Sequence, residues 1–388
     1  MKAVSCKIHS NILSNFRLIM SKKNASKVLS IILLGLIVII LYYLVIEIRI
    51  IHSNLIKINP APETFDAIEV PTLPRPFVNL YDDKGNKVNI ICVSHPFTRN
   101  TGTNGSYEQY EKWVNKGIHF IGISSYAEFP GLVSNPYDSL SNKELDAWKK
   151  YDYMALFEAW LHCFRYPDKY ITSSSMPTAL ISESDFTDIK KHKPDPTVPK
   201  EYDFIYVCLK DNDKCEPGWQ SYLRNWDVAK KCLDIMCNKY KLKGLIIGRV
   251  NCNLPKDCHD VLDFLPYDKF IQTYKKCKFV FVPNITDASP RVLTEALNYD
   301  LPCLVNYNIL GGWKYVNEQT GEFFTDETDF EPALKTLLDN FSNYTPSKYY
   351  KGNYGTVNAG RRLKDFLCEN IKDINFTRES TDYISMGT

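Results

Sequence analysis

The chain has 388 residues, with 47 Lys plus Arg against 45 Asp plus Glu, 44% hydrophobic residues and 12 Cys. This composition excludes a small disulfide-stapled module, a collagenous rod and a disordered tail, and it leaves room for two ordinary domains. Residues 1–27 hold six Lys or Arg and no acid, so the remainder carries 41 positive against 45 negative residues. It offers no extended basic face for a phosphate backbone, and nucleic acid is not an expected partner.

The basic stretch 1–27, with Lys2, Lys7, Arg17, Lys22, Lys23 and Lys27, precedes 19 uncharged residues from Val28 to Ile46. As a helix this run spans about 28 Å, near the roughly 30 Å of a bilayer's hydrocarbon. Tyr42 and Tyr43 sit near its far end, where headgroups lie. The pattern predicts an uncleaved transmembrane signal-anchor at 28–46, a cytosolic tail at 1–27 and the bulk of the chain lumenal or exterior. This is a single-pass type II arrangement. Pro60, Pro62, Pro71, Pro74 and Pro76 oppose continuous helix, and 47–87 reads as a stem.

Beyond the stem, Asn89–Val93 and Ile118–Ser124 read as buried strands, Tyr153–Phe164 as helical and Thr178–Ile181 as a strand before the turn SESDF. These define a first α/β domain over 88–200, closed by the polar linker KKHKPDPTVPKEY. The second domain, 201–345, is clearer. It runs as strand DFIYVCL, helix Trp219–Tyr240, strand GLIIGRV, helix Lys269–Cys277 and strand KFVFVP. The loop NITDA, the helix RVLTEAL, strand LPCLV and strand GEFF follow. This order of strands and helices predicts a mostly parallel, doubly wound sheet, with ligands outside the carboxyl ends of its strands. The segment 346–388 reads as a C-terminal helix and tail, with Leu363, Phe366 and Leu367 able to pack on either domain.

Eleven Cys lie between Cys92 and Cys368 without a metal-ligand spacing; Cys258 and His259 are adjacent, which does not suit zinc. Five N-x-S/T sites, at Asn104, Asn284, Asn340, Asn343 and Asn375, permit glycosylation on the lumenal side.

The informative stretch is KFVFVPNITDASPRVLTEALNYDLPCLV. A strand end, a loop and a helix start place Asp287 and Glu295, seven residues apart in the interval between them, in one crevice. Ser289 reads as a helix cap with Pro290 at the first helical position. The amides of Ser289, Arg291 and Val292 can point at a diphosphate, because the first turn of a helix has unpaired N–H groups aligned with its dipole. Glu295 can accept from ribose hydroxyls and Asp287 from hydroxyls of a sugar. The plainer reading is a solvent-facing Arg291–Glu295 ion pair and an ordinary loop acid at Asp287. His95 and Arg99, in HPFTRNTGTNGS with Gly102 and Gly105, can meet a ligand from the first domain. His119 and His162 read as structural, and Glu183 and Asp185 as turn residues.

Here the chain resembles glycosyltransferases of the GT-B fold, most closely the retaining family 4. The resemblance covers Tyr202 to about Leu338 and rests on Asp287, Glu295-Ala296, LPCLVNYNILGG and TGEFFTDETDF. Asp287 stands where Glu is usual, and ASPRV replaces a glycine-rich segment. The resemblance implies two Rossmann-like domains facing across a cleft and transfer of a sugar from a nucleotide-sugar donor to a hydroxyl of a glycan, glycoprotein or glycolipid. It implies retention at the anomeric carbon and no essential metal. It further implies basic groups near the donor phosphates, for which Lys210, Lys214 and Arg249 are candidates, and a donor-sugar loop at Gly311 and Gly312, with Asn306 nearby. A rival reading takes Asp211-Asn212-Asp213 as the metal-binding acidic motif of GT-A transferases. A third is a membrane-anchored glycan-binding or assembly protein without activity. With the anchor, the leading reading places the enzyme in the secretory pathway, in the Golgi or endoplasmic reticulum.

Overall fold

Along β6 (Tyr202–Val207) and β9 (Cys277–Val282) the side chains alternate between two apolar layers, Phe204, Tyr206, Phe279 and Phe281 on one face and Ile205, Val280 and Val282 on the other. A strand apolar on both faces must be covered on both, which dictates a three-layer α/β lobe. The structure, a computed structural model, describes residues 69–97, 105–131, 148–254 and 257–387. The expected tail 1–27, the anchor 28–46 and Arg99, Gly102 and Asn104 lie outside the described residues. Among the described residues no helix is long and apolar enough to cross a membrane.

The second lobe carries six parallel strands in the order β11-β10-β9-β6-β7-β8, where β7 is Gly244–Ile247, β8 His259–Leu262, β10 Cys303–Asn306 and β11 Gly321–Phe324. Strand order reverses between β6 and β9, so the crevice of this Rossmann-type sheet lies at their carboxyl ends. The sequence-based reading omitted β8, a short strand whose alternation is interrupted by polar Asp260.

The first lobe has the order β12-β1-β2-β3-β4-β5. Here β1 is Phe77–Tyr81, β2 Lys87–Val93, β3 His119–Ile123, β4 Trp160–His162, β5 Thr178–Leu180 and β12 Ser385–Met386. Strands β2 to β5 are parallel, β1 pairs antiparallel with β2 and β12 antiparallel with β1, so that β1 alone runs against the others. Two expectations change. The stem 47–87 ends sooner, because Val70, Phe77, Val78 and Leu80 are buried in the first lobe. The prolines at 71, 74 and 76 precede β1, outside its ladder, a position where a missing N–H is tolerated. Tyr153–Phe164 is not one helix: a single turn, Tyr153–Leu156, gives way to β4. Its aromatics pack around Phe97 and Phe129 in both elements, so apolar spacing did not separate them.

Helix α1 (Ser106–Val114) covers the first sheet, and α2 (Trp219–Leu223), α3 (Trp226–Asp234), α4 (Tyr267–Thr273) and α5 (Arg291–Asn298) belong to the second lobe. Helices α6 (Phe330–Asp339), α7 (Pro346–Asn353) and α8 (Gly355–Asn370) follow. Leu363 and Leu367 of α8 enter the core of the first lobe, with Val78, Ile90 and Ile121. The chain therefore returns to its starting lobe.

Candidate active site

Helix α5 begins where β9 ends, and Leu293, Ala296 and Leu297 on its inner face are fully buried. Burial of each leucine contributes about 1.5–3 kcal/mol, which fixes the rotation of the helix about its axis. With that face fixed, Arg291, Val292 and Glu295 line a cavity of about 290 Å³, together with Val207, Leu209, Arg224, Ile247, Phe264, Leu265, Tyr267 and Phe270. Its floor is formed by the carboxyl ends of β6 and β7, and its rim by the Phe264–Leu265 turn, where Phe264 is 69% exposed.

Glu295 is buried at the wall of this cavity. Tyr267 Oη donates to Oε1 at 2.8 Å and Tyr274 Oη to Oε2 at 3.1 Å. Burial raises the carboxyl from its ordinary value, against the two hydroxyls and the charges of Arg291 and Lys191. The surface ion pair with Arg291 is thus replaced by two tyrosines. Tyr267 has one proton, and giving it to Glu295 leaves His192 Nε2, 3.2 Å away, as the donor to the phenol oxygen. Lys191 lies 4.5 Å above the Tyr267 ring. The linker between the lobes therefore braces this side of the cavity.

Asp287 sits on the loop before α5. Its Oδ2 accepts from Arg224 Nη1 and from Asn284 Nδ2, the latter at 2.8 Å. Arg224 follows α2 and also lines the cavity, so one guanidinium joins Asp287 to the ligand space. Asn284 is only 5% exposed, and the folded chain does not present it for glycosylation.

Other expected residues fall elsewhere. Ser289 does not cap α5: the residue before the helix is Pro290, and Ser289 Oγ accepts the Ser184 N–H of the first lobe at 2.8 Å. Gly311 and Gly312 back the helix start. Gly311 donates its N–H to the Asp287 carbonyl at 2.9 Å, and a Cβ there would stand 1.9 Å from the Ala288 oxygen. Gly312 has φ +87° and a Cβ would meet Pro290 Cγ at 2.5 Å. Both glycines serve close packing of this loop. Lys210 pairs with Asp213 at 2.7 Å on the loop after β6, and Lys214 is exposed there. Arg249 is fully buried, with Cys208 Sγ at 2.9 Å, Ser221 Oγ at 3.1 Å, Asp211 at 3.8 Å and the Trp226 ring beneath it. It holds the loops after β6 and β7 together and does not line the cavity. Asn306 is buried and bonds Thr325 and Asn308. His95, at the end of β2, lies beside Ser94 and Tyr126, away from Glu295's cavity.

The two carboxylates of the Asp211-Asn212-Asp213 motif take separate partners. Asp211 accepts from Gln220 N, Ser221 N and Ser221 Oγ at the start of α2, whereas Asp213 is exposed and paired with Lys210. Among the described residues no group of His, Cys, Asp and Glu is arranged as a metal site. Cys215 is bonded to Cys252, which tethers the loop after β6 to the one after β7, and Cys237, in the helical turn that follows α3, is bonded to Cys258 just before β8.

Sequence reasoning did not find Arg224, Tyr267 or Tyr274. Tyr267 starts a helix after an exposed turn, a pattern a strand-end ligand loop could have flagged; for Arg224 the partner lies 63 residues away and nothing local marks it.

The carboxyl edges of the two sheets meet. Trp313 Nε1 donates to the Cys163 carbonyl at 2.9 Å, Tyr126 lies 6.3 Å from Trp219, and Arg165 lies over Tyr307. Two Rossmann-like lobes are opposed in this way, with a cavity at the switch point of the second, which is the GT-B arrangement. No family model and no curated protein matches the chain. Among solved structures it is similar to a glycosyltransferase from Rickettsia africae ESF-5, at 13% identity, covering 73% of this chain and 77% of that one, with a TM-score of 0.49. It is also similar to the pneumococcal O-GlcNAc transferase GtfA in complex with UDP and GlcNAc, at 11% identity, covering 76% and 67%, with a TM-score of 0.48. A third is TarM, at 10% identity, covering 61% of this chain and a TM-score of 0.45; the chain spans 48% of TarM, about half its length.

Proposed function

We propose that the chain is a glycosyltransferase of the retaining family 4 type, which takes a nucleotide-sugar donor into the cavity beside α5. The carrying observation is Glu295, a buried carboxylate presented to that cavity by two tyrosines at the strand-order reversal. A volume of about 290 Å³ suits a nucleoside, at the lower end of ligand-pocket sizes. The nucleobase stacks near Phe264, the ribose hydroxyls donate to Glu295, and the diphosphate meets the amides of Arg291 and Val292 and the guanidinium of Arg224. In the transfer step the bond from the anomeric carbon to the diphosphate oxygen breaks. A bond to the acceptor oxygen forms on the same face, and the acceptor's proton passes to the departing diphosphate. Arg224 and the helix start stabilise the negative charge that develops there.

The two disulfides suit an oxidising compartment, in keeping with a lumenal position behind the anchor at 28–46 and with the sequons at the exposed Asn340, Asn343 and Asn375. A glycan, glycoprotein or glycolipid is the acceptor in this reading, and the donor is a substrate. One observation favours a non-catalytic binding protein instead: Asp287, assigned to the transferred sugar, is engaged by Arg224 and Asn284. Turnover separates the two readings. The full chain in detergent micelles is screened for release of sugar from UDP- and GDP-sugars, with UDP binding measured by calorimetry. Glu295→Ala is expected to weaken UDP binding roughly tenfold to a hundredfold, the value of hydrogen bonds to a charged group. Unchanged binding in a folded variant would remove the assigned site.

A further inference from the structure

A second concavity lies between the lobes, away from Glu295. Phe164, Arg165, Tyr166, Lys169 and Tyr170 form its first-lobe wall, and the segment Tyr307–Leu310 its second; its volume is about 300 Å³. Through Lys169 and Tyr170 it adjoins another hollow of about 330 Å³, which runs over the first lobe past Trp148, Lys149 and Tyr151. Together they form one groove.

Two features of this groove point to a ligand. The first is aromatic surface left in solvent: Tyr166 is 68% exposed and Tyr307 46% exposed, and Tyr170 stacks on Phe164 at 4.2 Å, which fixes its plane. Flat amphipathic rings of this kind suit the C–H faces of pyranoses while their hydroxyls bond to sugar oxygens. The second is charge. The charged side chains at the interlobe hollow are Arg165 and Lys169, and neither makes an ion pair among the described residues. The Arg165 guanidinium lies 3.9 Å over the Tyr307 ring and 5.2 Å from that of Trp313. The neighbouring hollow adds Lys149. Its one acid, Asp152, accepts from Met154 N and Ala155 N of its own turn. Glu128 faces Lys169, and burial raises its carboxyl from the ordinary value. Asp168 is exposed on the intervening turn and does not line either hollow.

The groove also has a defined inner end. Leu310 N bonds the Ile285 carbonyl at 2.8 Å and Gly311 N the Asp287 carbonyl at 2.9 Å, so its second-lobe wall is tied to the loop that enters α5. A chain lying in the groove would therefore end against the loop beside the donor cavity.

The geometry points to this groove as the docking site of an anionic oligosaccharide, seated on Tyr166 and Tyr307 with its acidic groups on Arg165 and Lys169. The inference rests on the glycosyltransferase reading, for which it names the acceptor class. The test uses the full chain in detergent micelles and three fluorescent hexasaccharides: oligogalacturonate, which is carboxylated, a sulfated heparin fragment, and neutral maltohexaose. UDP affinity is measured in the same samples. Wild type is expected to bind at least one of the two anionic sugars about tenfold more tightly than maltohexaose, as two exposed charge contacts allow. The anionic sugar that binds identifies the acidic group. Arg165→Gln with Lys169→Gln should abolish that preference and leave UDP affinity unchanged. Tyr166→Ala, at an exposed position that folding does not need, should weaken all the sugars that bind. Equal binding of the three sugars, no binding of any, or a preference that survives the double variant overturns the proposal. A preference without UDP binding retains the groove and removes the donor site; UDP binding without a preference removes the groove alone.

Discussion

At Glu295 the same burial that shapes the cavity also defines what the residue can do. A carboxylate taken out of water stays charged only if donors are aimed at it, and Tyr267 and Tyr274 supply one each, which leaves further lone pairs for a ligand. Tyr274→Phe removes one donor from a buried acid, and UDP binding is expected to become pH-dependent at higher pH than in wild type, with affinity falling as the solution is acidified. Burial moves the His162 imidazole in the other direction. Burial, with Lys314 nearby, depresses it to about 4, below the roughly 6.5 of an unfolded chain. The folded state then binds fewer protons, so its contribution is complete above about pH 6.5 and is lost as pH falls from there towards 4. Thermal unfolding followed from pH 7 to pH 4 should show a shallower decline in Tm for His162→Gln than for wild type.

At the level of elements, the placement of α5 depends on the loop that backs it. Gly312 occupies a left-handed conformation and touches Pro290, the residue before the helix. Gly312→Ala should cost about 1–2 kcal/mol from backbone conformation alone, with the contact at Pro290 added, and should weaken UDP binding because the helix start moves. Gly352→Ala, in α7 with open space around it, is expected to be neutral or to raise stability by up to about 1 kcal/mol, since alanine favours helix. Urea unfolding of the two variants measures the difference. If both behaved alike, the close approach at Pro290 would carry no weight. This loop and helix were legible in the sequence as strand, turn and amphipathic helix. The cap expected at Ser289 does not form, because its hydroxyl instead accepts the N–H of Ser184, over a hundred residues earlier in the chain.

On the scale of the whole molecule, the segment Ser182–Phe186 joins the lobes through buried polar groups. Asp185 is fully buried; it pairs with Lys314 at 2.7 Å, and accepts from Tyr315 Oη and from Ser182 N. Tyr350 Oη donates to the Ser184 carbonyl at 2.6 Å, and Thr187 bonds Thr294 of α5 at 2.7 Å. The acids read from the sequence as turn residues thus divide: Glu183 meets Arg75 near the surface, while Asp185 locks the second lobe against the crossover. Asp185→Asn leaves Lys314 buried without its counter-charge and should cost about 3–5 kcal/mol in urea unfolding. Adding Lys314→Met should restore part of that loss, because the unpaired charge is then removed.

The sequence by itself determined the parallel sheet of the second lobe, the face that α5 buries and the presence of Glu295 beside a strand end. Periodicity, strand-to-helix order and side-chain chemistry are local, and a few adjacent residues carry each of them. Tertiary structure alone decided that Arg249 is sealed in the interior, that Arg224 takes Asp287, that two tyrosines of α4 and the following turn hold Glu295, and that Arg165 faces Tyr307 from the other lobe. Each of these pairs residues far apart in the chain. Whether a charge reaches solvent, a ligand or a buried partner depends on what the folded chain brings within a few ångströms of it, and that distance is not encoded in spacing along the sequence.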